Sequence, residues 1–427
     1  MTTTPLAPPS SPVAAAPAEP DRLAWLDALR AIAALVVAFQ HAAYRYVPEL
    51  QWHMHRWFDP GTFGITVFFL VSGYIVPASL ARTGSVRRFW ISRLFRIYPL
   101  WIFASVVIVM LALTDVVPWR IGLSGHPAPI AVLAHATMLQ DLLYVPSMIN
   151  VLWTLSYEMA FYLLVAALFT ARMHTRPAGV AAGFAVAAVA LGGLLPVAVL
   201  SRTVGIDLVV AAAAVALAAV IGCTMSGRPA VRTAGALGGG VLGLVLVTVN
   251  GRVGPWQGLA ILAAMFLGTA IYQAERGQVG RRAVAAVAVL VLVCSVGAGV
   301  WHSRAWRLVP AEQLYFQRAW TVALVLAAVV FAAGLALRRV RLPRWLTGLG
   351  VISYSVYLLH PVLFLSLDQI IGRSRHDDYA MLAGAMILLV PLSWLSYRLI
   401  EAPGQRLGRR LARRFTTGID RGIDRSG

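Results

Sequence analysis

Lysine is absent from this chain, so all 36 of its Lys and Arg positions are arginine. A coding bias toward arginine is the simplest cause. Carboxylates are also scarce, 17 against those 36, and charged residues make up only 12% of the sequence. Soluble domains carry about a quarter of their residues as charges, so an ordinary globular fold is excluded. There are two cysteines, Cys223 and Cys294, both inside apolar runs, which leaves no disulfide framework and no thiolate metal site to read. A basic stretch leading into an apolar one is missing at the N-terminus. Residues 1–21, rich in Pro, Ala, Thr and Ser, therefore read as a disordered cytoplasmic lead rather than a signal peptide.

Apolar sequence fills the space these absences leave. Hydrophobic residues make up 59% of the chain, and the mean hydropathy is +0.75. Apolar runs repeatedly reach the roughly 20 residues a helix needs to cross a bilayer. About twelve are visible, near 24–44, 61–81, 97–117, 150–171, 178–200, 204–224, 233–250, 255–275, 283–301, 316–337, 347–370 and 379–400. The reading is all-α: a polytopic transmembrane bundle of about 10–12 helices without a soluble domain. Residues 22–403 form the membrane domain, and 404–427 a basic, amphipathic cytoplasmic tail expected on the inner leaflet.

A net charge of +19 would suit nucleic acid, but its placement argues for orientation instead. Arg82, Arg87, Arg88, Arg93 and Arg96 fall in one loop region. Arg172 and Arg176, then Arg228 and Arg232, then Arg276, Arg281 and Arg282 fall in alternate later ones. Arg338, Arg339, Arg341 and Arg344 and the tail continue the series, while the intervening loops are poorer in arginine. By the positive-inside rule both termini and the rich loops face the cytoplasm. No nucleic-acid partner is expected. Asp21 or Asp27 could cap the first helix. The connection 118–149, with its prolines, reads as a polar loop facing outward. The shorter loop 45–60 carries Trp52, Trp57, His53 and His55, an interfacial aromatic belt or a sugar-stacking surface.

Four polar patches interrupt the apolar runs, and an ionisable group at membrane depth is a functional candidate by default. Arg30 and His41 stand eleven residues apart, almost three full turns, so they share one stripe of the first helix about 16 Å apart along its axis. That offset suits a long ligand with an anionic head and a reactive end; a snorkelling Arg and a structurally bonded His are the ordinary alternative. Ser72 and Gly73, mid-helix, suit close helix packing, or the lining of a ligand channel. Arg93 and Arg96 at i, i+3 share a face, and their forks could take a phosphate-rich cofactor from the cytoplasm. Trp153 opens the run that contains Glu158. Ser353, Tyr357 and His360, at i, i+4, i+7, share a face of a later helix. His41, Glu158 and His360 are expected at a similar depth, where a carboxylate orienting a histidine base would be a standard catalytic arrangement.

These stretches resemble the membrane acyltransferase-3 family, which includes bacterial O-antigen and exopolysaccharide O-acetyltransferases. The likeness rests on Leu26-Asp27-Ala28-Leu29-Arg30 with His41, on Phe68-Phe69-x-x-Ser72-Gly73, and on Arg93-x-x-Arg96 with Tyr98-Pro99. Leu152-Trp153-Thr154-Leu155-Ser156-Tyr157-Glu158, Ser353-Tyr354-Ser355-Val356-Tyr357-Leu358-Leu359-His360 and Glu401-x-Pro403 complete it. It spans about 22–403, the middle by hydropathy alone, and the family's usual count is nearer ten helices. The resemblance implies transfer of an acyl group, commonly acetyl, from acyl-CoA to a hydroxyl, usually of a glycan, in a bacterial inner membrane. Arg30, Arg93 and Arg96 would hold coenzyme A phosphates, with Ser72 beside them. His41 would be the general base or a transient acyl acceptor, Glu158 would orient it or activate the acceptor, and Tyr357, His360 and Trp153 would line the substrate pocket. No metal is required, since a thioester is already activated. A small-molecule acceptor such as a macrolide or lipid, and a transporter of glycan precursors, are the competing readings.

Overall fold

The computed structural model describes residues 24–120, 122–306 and 308–423, so the N-terminal lead and Asp21 lie outside the described residues. No strand occurs among them. The chain runs α1 (Ala24–Tyr46), α2 (Pro48–His55), α3 (Pro60–Thr83), α4 (Val86–Leu113), α5 (Ala128–Ala136), α6 (Trp153–Thr170) and α7 (Pro177–Ala190). It continues through α8 (Val199–Val204), α9 (Ile206–Met225), α10 (Pro229–Val249), α11 (Pro255–Glu275), α12 (Arg281–His302) and α13 (Pro310–Ala336). The last elements are α14 (Arg344–Val351), α15 (Ser353–Ile371), α16 (Tyr379–Ser396) and α17 (Ala402–Ile423). Eleven stretches among the described residues are long and apolar enough to span a membrane. The protein is a multi-pass helical membrane protein.

Local chemistry sets the helix ends. Proline stands in the first turn of α2, α3, α7, α10, α11 and α13, where its missing N–H costs nothing. The Asp59 carboxylate accepts from the backbone N–H groups of Gly61 and Thr62 and caps α3. Gly84, at φ 62°, closes that helix, and the Ser85 hydroxyl caps the next one. Asp27, expected as a cap, instead lies inside α1 and pairs with Arg30 at 3.9 Å.

Close crossing of α3 and α11 forms the centre of the bundle. A Cβ added at Gly73 would sit 1.8 Å from the Met265 carbonyl oxygen, and one at Gly268 2.3 Å from that of Leu70. The Thr269 hydroxyl donates to the Gly73 carbonyl at 2.9 Å, so the crossing is also hydrogen-bonded. Small residues permit this approach in a membrane, where packing rather than the hydrophobic effect drives helix association. Gly73 therefore serves packing. We expect Gly73→Ala to cost at least about 1–3 kcal/mol through overpacking. The check is thermal melting in detergent; an unchanged melting temperature would show that the crossing can relax.

Two expectations need correction. The run 178–200 does not make a spanning helix: α7 covers 14 residues and then turns, short of the roughly 20 that a crossing requires. The Gly192-Gly193 pair lies there, with Gly192 tight against Trp256 and Gly193 against His302, so the chain bends where the hydropathy continues. The connection 118–149 is not a solvated loop either. His135, Thr137–Leu143, Val145 and Ser147 are buried, and Asn250 ties the segment down by donating to the Leu142 carbonyl. The tail is continuous with the last span: α16 passes through a π-turn, Tyr397–Glu401, into α17. There Gly404 and Gly408 pack on Pro99 and Phe95 of α4.

Asp141 lies in that buried connection, 3% exposed. Burial pushes its carboxyl up to about 7, against the opposing pull of Arg252 and Arg120. A raised folded-state value means the folded protein keeps a proton that the unfolded chain loses first. Stability should thus fall between about pH 4 and pH 7 and level off above. Asp141→Asn is expected to flatten that slope in melting curves; an equally steep slope in the variant would assign it to another group.

Candidate functional site

Two polar neighbourhoods face one another along α1 and α15. The first lies toward the arginine-rich end. Arg30 of α1, Ser72 of α3, Arg93 and Arg96 of α4, Glu158 of α6, and Tyr354 and Tyr357 of α15 line one cavity of about 80 Å³. Five helices, far apart in sequence, supply these groups. Arg93 is 5% exposed, its guanidinium lies 5.6 Å from the rings of both Phe89 and Tyr162, and its Nε has no hydrogen-bond partner among the described residues. A buried guanidinium with an unused donor is costly unless an anion completes it. The Tyr162 hydroxyl donates to Glu158 Oε1 at 2.5 Å, which fixes that carboxylate against the arginine side.

The second neighbourhood is a histidine pair. The His41 and His360 rings lie 5.0 Å apart, tilted by 38°. His360 is fully buried, and its Nδ1 lies 3.1 Å from the Val356 carbonyl. That bond requires a proton on Nδ1, which leaves Nε2 as a buried acceptor, and it has no partner among the described residues. His41 is half-buried. One turn beyond it, Arg45 donates to the Asp368 carboxylate at 2.8 Å and to the His41 carbonyl at 2.9 Å. Asp368 is two turns past His360, so this ion pair clamps α1 to α15 beside the imidazoles. Tyr357 joins the neighbourhoods: it lines the arginine cavity, and its ring sits 6.0 Å from that of His360. Its hydroxyl is held by Thr154 at 2.8 Å and by the Val151 carbonyl at 3.1 Å.

A family model of the acyltransferase domain, Acyl_transf_3, matches residues 23–398. The chain belongs to the membrane acyltransferase-3 family. It is also 32% identical over 142 residues to a protein of Komagataeibacter xylinus named as a membrane-bound transacylase, BcsY. That match spans 32% of this chain and 33% of the relative, so the chain aligns with about a third of that protein's length. No solved structure matches. The chain is thus a multi-pass membrane member of that family, and the polar column above is its candidate active site.

The sequence-derived residues separate within this column. Arg30, Ser72, Arg93, Arg96, Glu158 and Tyr357 come together in one cavity, and His41 meets His360. Glu158 and His41 are expected at a similar depth; no hydrogen bond joins them among the described residues, and the carboxylate lines the arginine cavity. Trp153 lines a larger, mostly apolar cavity that shares Ile65 and Phe69 with the arginine cavity. Tyr162, Thr154 and the Arg45–Asp368 pair were not singled out from the sequence. Tyr162 follows Glu158 by four residues, and Asp368 is a charge within an apolar run, so both left a signal.

Proposed function

We propose that this acyltransferase moves an acyl group, acetyl in the first instance, from acyl-CoA to a hydroxyl of a carbohydrate acceptor. The observation that carries the reading is the close His41–His360 pair beside a cavity lined by three arginines. A thioester donor fits the residues present. Arg30, Arg93 and Arg96 offer forked donors to phosphate oxygens, and Arg93 Nε is a buried donor in want of an acceptor. Ser72, Phe68 and Tyr357 would guide the thin pantetheine arm toward the histidines. The narrowness of the cavity suits a thread rather than a bulky group.

His41 then acts as general base. It accepts the proton of the acceptor hydroxyl as the oxygen attacks the thioester carbonyl carbon. The carbon–sulfur bond breaks, and the departing thiolate takes the proton from the imidazolium, which leaves an ester, free coenzyme A and neutral His41. His360 is a positioning residue. With Nδ1–H bound to Val356, its Nε2 lone pair can hold one nitrogen of His41 as a donor and turn the other toward the hydroxyl. Glu158 balances the arginine cluster and keeps Arg93 aimed through Tyr162. The smaller-acceptor reading uses the same steps and differs only in what reaches His41.

The test is purified protein in detergent with acetyl-CoA and a series of sugars, with free thiol followed against time. Acceptor-dependent thiol release is expected. Thiol silence with every acceptor, beside intact folding, would return the transport reading.

A further inference from the structure

Another cavity, of about 610 Å³, lies at the arginine-rich ends of α3, α6 and α11. Its walls include Arg82, Phe169, His174, Tyr272, Gln273 and Arg276, and among the described residues no carboxylate lines it. We propose that it is the nucleotide subsite of the donor, receiving the adenosine 3′-phosphate end of coenzyme A. This rests on the acyl-CoA reading above and extends it to residues outside the arginine triad.

Helix geometry supports the assignment first. On α6, Thr154 and Glu158 line the inner cavity, whereas Val165 and Phe169 line the outer one. Spacings of i, i+4, i+11 and i+15 fall on a single stripe. On α3, Ser72 and Val76 face the inner cavity, while Pro77, Leu80 and Ala81 face the outer one from a side further round the helix. The two cavities therefore follow one another along α6. From Glu158 to Phe169 is a rise of about 16 Å. A ligand with its reactive end by Tyr357 and its phosphates at Arg93 and Arg96 continues naturally into the outer space.

Size and chemistry agree with that direction. The inner cavity, about 80 Å³, admits an extended arm, while the outer one has room for a nucleoside. Flat surfaces are available: Phe169 and His174 lie 4.9 Å apart ring to ring, and the Arg276 guanidinium covers the Tyr272 ring at 5.0 Å. Arg82 and Arg276 give the walls positive charge with no acid to cancel it, as a phosphate monoester requires. The large apolar cavity elsewhere lacks this character. Of its two arginines, Arg281 and Arg338, the second is already paired at 2.6 Å with Glu275, a carboxylate of the same lining.

The experiment compares labelled coenzyme A with dephospho-coenzyme A, which lacks only the 3′-phosphate. Both are bound to the full-length protein in detergent, as wild type and as the double variant Arg82→Ala, Arg276→Ala. Wild type is expected to bind coenzyme A about tenfold more tightly than its dephospho form, and the double variant to bring that ratio to about one. Adenosine 3′,5′-bisphosphate should compete with coenzyme A in wild type only. Binding of both ligands with equal affinity in wild type would overturn the subsite and leave the donor reading standing. So would a double variant that weakens both ligands equally and keeps their ratio, the mark of general surface charge or a lipid headgroup. Binding of neither ligand to wild type would remove the donor reading and this subsite together.

Discussion

His41→Ala is expected to lower acceptor-dependent thiol release by about 10²–10⁴-fold, the usual contribution of a positioned general base. The variant should still fold, because His41 is half-buried and, among the described residues, its side chain makes no hydrogen bond whose loss would strand a partner. The clamp that fixes this part of α1 runs through its backbone carbonyl and Arg45, and both survive the substitution. The loss should fall on kcat, with the donor KM little changed, since the arginine cavity is untouched. His360 offers the graded control. His360→Leu removes the lone pair offered to His41 and should lower kcat and alter the pH–rate profile. His360→Gln, which restores an acceptor, should recover part of both. Full turnover in the His41 variant would take that residue out of the reaction. A rate defect in both His360 variants without any change of pH profile would reduce His360 to packing.

Much of this molecule was legible because a bilayer imposes a length on its helices. Eleven of the twelve apolar runs became spanning stretches, and α11 (Pro255–Glu275) matches its expected limits. The exception, 178–200, failed where glycines packed on Trp256 and His302 outweighed hydropathy, a tertiary contact that composition does not encode. Periodicity placed Ser353, Tyr357 and His360 on one face of α15, and the Tyr357–His360 contact is consistent with it. What periodicity does not specify is the neighbour a face meets. Glu158 and His41 were assigned to one layer by counting residues from opposite ends, a measure of depth that says nothing of lateral position. Their lateral partners, Tyr162 for the acid and His360 for the base, follow from which helices pack together. The same ignorance made 118–149 look like a solvated loop, because its prolines signal irregular backbone without revealing that the backbone is buried.

Arg93→Ala should raise the KM for acyl-CoA by about 10–100-fold, the effect of losing a charge-assisted hydrogen-bonding group worth about 1.5–3 kcal/mol. The argument turns on burial. Arg93 is 5% exposed and carries an unpartnered Nε, so its interaction with a phosphate is only weakly screened by water. Its guanidinium is held in place by Phe89 and Tyr162, and Tyr162 is held by Glu158. Arg93→Lys should recover only part of the loss, since an ammonium neither stacks between two rings nor bonds bidentately. Tyr162→Phe should then give a smaller rise in the same KM, because it frees Glu158 while leaving a ring under Arg93. The acceptor KM should barely change in any of the three. Donor affinity measured directly with coenzyme A distinguishes this from a general loss of structure: an Arg93→Ala protein that melts normally and binds coenzyme A as wild type does would move donor recognition away from this cavity.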